Sequence, residues 1–247
     1  MKILALIPAR MGSSRFPGKP MANLNGKPMI QHVYENVSQS ELLTMTAVAT
    51  CDDIIAAHIK SIGGLAVMTS AEHDRASDRC AEALKLLEAE TKQQFDIVVM
   101  VQGDEPLTHP DMLSEALRPF SEDPDVDVVN LMAPIETMEE FKDPNCIKVV
   151  VARNGNALFM SRQPIPTLSF LEENSGFKQV CVIPFRRAAL MEYIEMTPTA
   201  LEKFESIDML RLIENNRPVR MVITKHATHA VDTPYDLEKV SKLLVGN

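Results

Sequence analysis

Three cationic side chains stand close together in the loop that follows the first apolar stretch of the chain. Arg10, Arg15 and Lys19 lie within ten residues, in a loop that also holds two serines, two glycines and three prolines. Arginine and lysine make charge-assisted hydrogen bonds to phosphate oxygens, while glycine permits close backbone approach and proline fixes the loop. The loop matches neither a Walker A motif nor a dinucleotide-binding turn. Its composition favours a polyphosphate ligand, although a basic loop after a first strand is about as often a solvated surface.

Two aspartates occupy positions where a sheet protein could use them. Asp104 follows the almost continuously apolar run 97–101, and Asp232 opens a helical pattern 128 residues later. Taken singly, Asp104 could simply form a turn and Asp232 could cap a helix. Taken with the basic loop, they could hold a Mg²⁺ ion that is shared with substrate phosphates. No Ser-His-Asp or Cys-His nucleophile signature stands out, so the residues favour nucleotidyl transfer by direct displacement, with the three cations neutralising the leaving pyrophosphate.

Alternating strand and helix patterns must position these groups, and they predict an α/β fold with a mostly parallel open sheet. Asp104 would then lie beyond the carboxyl end of a central strand, where ligands bind in such sheets. Strands are predicted at 3–7, 43–49, 65–68, 97–101, 126–131, 147–152, 157–160, 180–185 and 219–223. Helices are predicted at 28–37, 52–62 (capped by Asp52 and Asp53), 77–89, 110–117 and 199–215, with a last one entered through Asp232 or Thr233.

The pattern loosens between about residues 134 and 217, where the strands look antiparallel. Asn154-Gly155 is a strong hairpin turn, and residues 163–177 read as a long surface loop of the kind that usually has a function. We therefore predict one domain, 1–247, with a smaller antiparallel subregion at about 134–217 for dimerisation or substrate binding.

Composition limits the classes of partner. The 247 residues carry 34 acidic and 25 basic side chains, a net charge of −9, which argues against a nucleic-acid or anionic-membrane surface. The chain shows no signal peptide and no apolar run near the ~20 residues of a membrane span, so we expect a cytoplasmic protein. The four cysteines lie 29 or more residues apart and are expected as free thiols. His226 and His229 form the one close histidine pair, either a metal site or, with no third ligand nearby, a polar loop.

Several motifs together resemble one family, the 3-deoxy-manno-octulosonate (Kdo) cytidylyltransferases, or CMP-Kdo synthetases, of the sugar-acid cytidylyltransferase group. The resemblance spans most of the chain. The segments that carry it are Ile7-Pro8-Ala9-Arg10, Ser14-x-x-Pro17-Gly18-Lys19-Pro20, Gly26-Lys27-Pro28-Met29-Ile30, Val101-Gln102-Gly103-Asp104-Glu105-Pro106, Leu158-Phe159-Met160-Ser161-Arg162 through Ile165-Pro166, and Val231-Asp232-Thr233-Pro234.

The resemblance implies a nucleotide-diphospho-sugar transferase (Rossmann-like) fold and a defined reaction. CTP and a 2-keto-3-deoxy sugar acid would give the CMP-sugar and pyrophosphate, with Mg²⁺ as cofactor and the anomeric hydroxyl as attacking group, in lipopolysaccharide synthesis. It also implies a homodimer formed through residues 134–190.

The resemblance assigns roles to individual side chains. Arg10, Lys19, Asp104 and Asp232 would be catalytic, with the two cations on the triphosphate and the two aspartates on magnesium. The remaining nucleotide-binding residues would be Ala9, Arg15, Ser77 and Arg79. The substrate-binding residues would be Gln102, Arg162, Gln179 and Asp208.

Departures from the family pattern cluster away from the triphosphate. Gln179, Ile183, Asp208 and Met209 stand where the family has His, Tyr, Glu and Gln, and such changes in a polar pocket discriminate strongly between substrates. On the nucleotide side, residues 74–79 replace a Gln-Ser-Gly-Thr-Glu-Arg pattern and an acid is present at Asp52 rather than at position 51. Kdo, another anionic sugar or small acid, and a non-catalytic nucleotide-binding role therefore remain open, and residue types alone do not select cytosine over uracil.

Overall fold

The computed structural model describes residues 1–13, 15–167 and 176–245. The chain divides into two compact units, one formed by Met1–Ser114 with His226–Asn247 and the other by Glu115–Lys225. The predicted subregion at about 134–217 falls within the second unit. Within the described ranges, no helix combines the length and the apolar character needed to cross a membrane.

The strands of the first unit are β1 (Ile3–Ala9), β2 (Asn23–Leu24), β3 (Lys27–Pro28), β4 (Met45–Thr50), β5 (Ala66–Met68) and β6 (Ile97–Val101). The unit is built around four of these strands, which are parallel and follow the order β6-β1-β4-β5. Strand β1 pairs in parallel with β4 on one side and β6 on the other, and β4 pairs in parallel with β5. The helices of this unit are α1 (Met29–Ser38), α2 (Asp53–Ser61), α3 (Ala76–Thr91), α4 (Pro110–Leu117, which runs into the second unit) and, at the C-terminus, α10 (Pro234–Val245).

Burial explains why these segments adopt their structures. Every residue of β1 and of β6 is buried, as expected for strands covered on both faces. Helix α1 buries Met29, Ile30 and Val33, whose spacing places them on one face of the helix. The mostly parallel α/β architecture is confirmed.

The second unit holds a mixed sheet in the order β12-β7-β10-β8-β9. Strand β10 runs antiparallel to both β7 and β8, β8 runs antiparallel to β9, and β12 is parallel to β7. Its strands are β7 (Val129–Pro134), β8 (Lys148–Val151), β9 (Ala157–Ser161), β10 (Phe177–Val180), β11 (Val182–Arg186) and β12 (Arg220–Ile223). Its helices are α5 (Pro119–Glu122), α6 (Met138–Lys142), α7 (Arg187–Glu195), α8 (Ala200–Glu205) and α9 (Met209–Glu214).

The predicted hairpin at Asn154-Gly155 is confirmed between β8 and β9, where Gly155 takes a φ of 83°. All four cysteines are thiols and not disulfides, as expected. The predicted surface loop 163–177 is described only in part, because residues 168–175 lie outside the described ranges, as does Ser14 of the loop after β1.

Two predicted elements were wrong because each contains a break. The strand predicted at 180–185 is two strands, β10 and β11, separated at Cys181. The helix predicted at 199–215 is two helices, α8 and α9, because Ser206 adopts a left-handed φ of 53°. Across this break Arg211 Nη2 lies 2.6 Å from Glu202 Oε1, and both side chains are buried. The apolar periodicity continued through the break, so it could not reveal this buried ion pair.

Candidate active site

The loop after β1 presents Lys19 through backbone bonds of its own. The carbonyl of Met11 accepts hydrogen bonds from the amides of Ser13 and Gly18, each at 3.0 Å. Gly18 has a φ of 74°, a left-handed conformation that glycine adopts without steric cost. Lys19 follows directly and begins a short 3₁₀ helix, Lys19–Met21, whose Pro20 is buried. The glycine and proline predicted to shape this loop are the residues that fix where Lys19 emerges.

Lys19 joins the two predicted aspartates at a single point. Its Nζ lies 2.7 Å from Asp104 Oδ2 and 3.3 Å from Asp232 Oδ1, and the three side chains are only 11%, 20% and 13% exposed, respectively. Arg15 Nη2 lies 2.9 Å from the same Asp232 oxygen. The structure thus brings together four of the predicted site residues, two basic and two acidic, from three segments that are distant in sequence.

Asp104 lies beyond the carboxyl end of β6, as predicted. The chain turns there at Gly103, where a Cβ atom would approach the carbonyl oxygen of Pro8 to 3.1 Å, so glycine allows the loop to pass close to β1. The carbonyl of Asp104 accepts a hydrogen bond of 2.9 Å from the amide of Val231. The segments that carry Asp104 and Asp232 are therefore tied together by their backbones.

The hydrogen bonds at the start of α10 show whether the Asp232 side chain caps this helix. Asp236 Oδ2 accepts hydrogen bonds from the amides of Asp232 and Thr233, at 3.1 and 2.8 Å, and from the Thr233 hydroxyl at 2.7 Å. The Thr233 hydroxyl in turn accepts from the Asp236 amide. Thr233 and Asp236 close the helix start, which leaves the Asp232 carboxylate to Lys19 and Arg15. The prediction that the Asp232 side chain caps this helix was therefore wrong.

The cluster has unusual electrostatics for a nearly buried group of charges. Burial raises the pKa of Asp232, and the like charge of Asp104 raises it further, which outweighs the cations nearby. Burial by itself lowers the pKa of Lys19, but the two carboxylates outweigh it and the net shift is upward. Lys19 therefore remains protonated at neutral pH and holds together two carboxylates that repel each other.

The donor set suits a hard divalent cation. Mg²⁺ is usually held by one or two carboxylates together with waters and substrate phosphates. Asp104 and Asp232 converge on one positively charged atom. The pKa of Asp232 is raised first by burial and then by the like charge of Asp104, and a cation relieves that repulsion. The donor chemistry of these residues therefore fits Mg²⁺.

Arg10 lies against a different segment from Lys19. Its Nη1 donates to the carbonyl of His73 at 3.3 Å and lies 3.7 Å from Asp74 Oδ1. Ala9, beside it, is the buried last residue of β1. The predicted contact of Arg10 with the triphosphate remains a prediction.

Ser77 and Arg79, the other predicted nucleotide-binding residues, are both buried in the first turn of α3. Arg79 Nη1 donates to the Thr69 hydroxyl at 2.5 Å and to the carbonyl of Ser70 at 3.2 Å. Its Nη2 lies 3.4 Å from the carbonyl of His73, which Arg10 also contacts. In this structure Arg79 shapes the loop 69–75, against which Arg10 rests.

The predicted substrate-binding residues are divided between the units. Gln102 is half-buried directly after β6, in the first unit, whereas Arg162, Gln179 and Asp208 belong to the second. The guanidinium of Arg162 donates to three backbone carbonyls, those of Pro144, Glu205 and Ser206. Asp208 precedes α9 and accepts a hydrogen bond from the Tyr193 hydroxyl on its carbonyl at 3.3 Å.

Gln179 has a partner that the sequence did not indicate. Its Nε2 donates to Oδ1 of Asn130 at 2.6 Å, and the fully buried Asn130 is itself held by the carbonyls of Leu131 and Val180. The Gln179 amide is therefore fixed in orientation. Asn130 gave no signal because it lies within an otherwise apolar strand.

Asp52 is a second residue whose role the sequence misassigned. It occupies the position before α2, but its side chain makes no capping hydrogen bond. Asp52 Oδ2 instead accepts from the amide of Met11 at 2.8 Å and so anchors the loop that presents Lys19. One signal in the sequence was available: the acid that the family pattern has at position 51 stands at position 52 in this chain.

Known proteins resemble this chain in both sequence and structure. A sequence profile of the Cytidylyltransferase family matches residues 4–224. A 3-deoxy-manno-octulosonate cytidylyltransferase of Geobacter sulfurreducens is 43% identical over 255 aligned positions, covering 99% of this chain and all of the relative. One from Geotalea uraniireducens is 41% identical and covers 99% of each chain. A solved structure of CMP:2-keto-3-deoxy-manno-octonic acid synthetase in complex with CTP superposes with a TM-score of 0.87 at 37% identity, covering 100% of this chain and 99% of its own.

Proposed function

The chain belongs to the family of 3-deoxy-manno-octulosonate cytidylyltransferases, and on that premise we propose how its own residues perform the reaction. The enzyme is a nucleotidyltransferase that transfers CMP from CTP to Kdo and releases pyrophosphate. The observation that carries the proposed mechanism is the convergence of Asp104 and Asp232 on Lys19 at the end of the parallel strands.

Lys19 and Arg15 bind the triphosphate in this mechanism. Both side chains are positively charged. Both contact Asp232, which a metal ion bound with the substrate would also use. When CTP enters, Lys19 exchanges carboxylate oxygens for phosphate oxygens without changing its protonation state. Arg10, held beside the loop 69–75, supplies the third positive charge.

Asp104 and Asp232 would hold Mg²⁺. The ion would withdraw charge from the phosphate oxygens during transfer. The Val231–Asp104 backbone bond and the Asp236 network keep the two carboxylates at this point in the absence of the ion. Their preorganisation lowers the cost of assembling the site once the nucleotide arrives.

The chemistry is a single in-line displacement. The anomeric hydroxyl oxygen of Kdo forms a bond to the α-phosphorus, and the bond from that phosphorus to the bridging oxygen of the β-phosphate breaks. The electron pair leaves with pyrophosphate, and the hydroxyl proton passes to solvent or to a phosphate oxygen. Lys19 and Arg15 stabilise the charge that develops on the leaving group.

Recognition of the sugar acid is proposed for Gln102, Gln179, Asp208 and Arg162. Gln179 is the most informative of them, because Asn130 holds one amide hydrogen and so fixes which way its carbonyl oxygen and second hydrogen point. Recognition by a glutamine fixed in this way would discriminate between hydroxyl patterns more sharply than recognition by a freely rotating side chain.

A matrix of substrates tests the function. The four ribonucleoside triphosphates are each combined with Kdo, a sialic acid and other 2-keto-3-deoxy acids in the presence of Mg²⁺, and pyrophosphate release is measured. We expect turnover with CTP and Kdo above every other pair. Turnover of CTP with another acid but not with Kdo would show that Kdo is not the acceptor. No turnover with any pair would show that the chain is not a catalyst of this reaction.

Two further properties are proposed from the family resemblance. The chain forms a homodimer through residues 134–190, which light scattering at micromolar concentration tests: the mass of one chain would contradict it. The cytoplasm, where CTP is available, is the proposed location of the enzyme, and fractionation of cells expressing the tagged chain would check it.

A further inference from the structure

A second group of potential ligand atoms lies in the first unit and plays no part in the proposed transfer. His109, Asp111 and His226 each offer a ligand atom, and these atoms all lie within 4.8 Å of one another. His109 Nδ1 is 3.5 Å from Asp111 Oδ2, and His226 Nε2 is 3.8 Å from the same oxygen. The two imidazole rings stack with centroids 4.3 Å apart and planes 11° from parallel.

The fold creates this group from residues that are distant in sequence. His109 immediately precedes α4, Asp111 lies in the first turn of that helix, and His226 follows β12. The sequence indicated only the pair His226 and His229 and gave it no third ligand. In the structure His229 lies 3.3 Å from Asp236 instead. The neighbours of His226 among the potential ligands are therefore His109 and Asp111, at the start of α4.

Two imidazoles and one carboxylate are a typical ligand set for a transition-metal dication. Zn²⁺, Ni²⁺ and Cu²⁺ favour imidazole nitrogen, whereas Mg²⁺ favours oxygen ligands and keeps its waters. The Asp111 amide lies 3.2 Å from His109 Nδ1 and donates to it, so this ring nitrogen faces Asp111.

The geometry leaves room for the rings to adjust. The side chains of His109, Asp111 and His226 are 52%, 68% and 29% exposed, so an ion could reach them from solvent. Stacked rings do not direct their lone pairs at one point, and binding therefore requires a turn of at least one imidazole. The ion would replace the weak backbone contact of His109.

We propose that His109, Asp111 and His226 bind a transition-metal dication such as Zn²⁺ at a site separate from the Asp104 and Asp232 pair. The site would connect the same two segments that carry those aspartates. His109 follows Asp104 in one loop, His226 precedes Asp232 in the other, and the Val231–Asp104 backbone bond already joins the two. A bound ion would add a second connection between them and raise the thermal stability of the unit.

Calorimetric titration with Zn²⁺ in excess Mg²⁺ tests the site, because excess Mg²⁺ competes with Zn²⁺ for carboxylate sites such as the aspartate pair. No nucleotide or sugar is present, so the result does not depend on catalysis. We expect about one Zn²⁺ per chain with three protein ligands and an open position. His109→Gln and His226→Gln should each weaken binding by at least about tenfold. His58→Gln is the matched control, since His58 is a half-buried histidine on α2 that pairs with Gln31 and should leave Zn²⁺ binding unchanged.

A second measurement on the unmodified chain avoids any effect of the substitutions on folding. Addition of paramagnetic Cu²⁺ should broaden the imidazole proton resonances of His109 and His226 first and leave those of His32 and His58 sharp. Zn²⁺ should also raise the melting temperature, and that shift should be lost in His226→Gln. Equal broadening of all histidines, or Zn²⁺ affinity unaffected by both substitutions, would overturn the proposal.

Discussion

Replacing Lys19 with methionine should separate binding of Mg²⁺ from catalysis. The substitution keeps an unbranched apolar side chain and removes the one ammonium that contacts both Asp104 and Asp232, at 2.7 and 3.3 Å. In the proposed mechanism this ammonium would compete with Mg²⁺ for the same carboxylate oxygens. We therefore expect Lys19→Met to bind Mg²⁺ more tightly and to turn over more slowly.

The magnitude follows from the environment of the contact. With side-chain exposures between 11% and 20%, the contact is better shielded from water than a surface ion pair. A hydrogen bond to a charged group is worth about 1.5–3 kcal/mol, which corresponds to roughly 10- to 150-fold in an equilibrium or rate constant. The value of kcat/KM for CTP should fall by that factor, because methionine cannot neutralise the leaving pyrophosphate as Lys19 does in the proposed mechanism.

Two assays and one control decide the outcome. Continuous pyrophosphate detection gives kcat/KM, and calorimetric Mg²⁺ titration without nucleotide gives the metal affinity. Lys27→Met is the matched control, because Lys27 contacts Glu35 at the same 2.7 Å but is 48% exposed, and such a pair contributes at most about 1 kcal/mol. If Lys19→Met lowered Mg²⁺ affinity, or if its activity matched that of Lys27→Met, the assignment of Lys19 would be refuted.

Three further predictions concern the framework of the two units. Arg211→Met should cost about 3–5 kcal/mol in urea unfolding, because it leaves the buried Glu202 without its partner, and Glu202→Leu in the same chain should recover part of the loss. Burial alone raises the pKa of Asp236, but hydrogen bonds from His229, Thr233 and the Asp232 amide lower it to about 2, so its contribution to stability is present above pH ~4 and lost as pH falls toward 2. Asp236→Asn should therefore destabilise the chain at pH 6 by about 1 kcal/mol, after allowance for solvent screening, and should match the unmodified chain near pH 2; equal loss at both pH values would contradict this cause. Gly18→Ala should cost about 1 kcal/mol in the same assay, because φ is 74° there, whereas Gly12→Ala, which meets no atom within 4 Å and has no positive φ, should be close to neutral.

The sequence predicted the elements whose signals are local. The apolar run at β6 and the turn at Gly103 placed Asp104 at the carboxyl end of the sheet, and the structure confirms that position. The pattern of α1 and the hairpin at Gly155 were equally accessible, because apolar periodicity and turn chemistry depend on neighbouring residues.

Features that depend on distant partners could not be predicted. Nothing in the neighbourhood of Ser206 indicates the buried Glu202–Arg211 pair that accompanies the break between α8 and α9. Asp232 resembled a helix cap until Asp236 was seen to serve the start of α10. Asp52 likewise has a capping position in sequence and a loop-anchoring role in space.

The structure brings together the two aspartates of the predicted site and two of its cations. Lys19 and Arg15 meet the aspartates, whereas Arg10 rests against the loop 69–75 and Arg79 is buried beneath that loop. Sequence spacing groups cations in one loop but does not determine which way each side chain turns. That choice depends on the carbonyl groups of a segment more than 50 residues away, such as that of His73.

Phosphorus NMR of a single reaction mixture tests the proposed transfer most directly. With CTP, Kdo and Mg²⁺, the unmodified chain should produce a CMP-Kdo phosphodiester signal and pyrophosphate in equal amounts. Asp104→Asn should reduce both signals by about a hundredfold or more while remaining folded by circular dichroism. Pyrophosphate without the phosphodiester, or full activity in Asp104→Asn, would contradict metal-assisted transfer at the Lys19, Asp104 and Asp232 cluster.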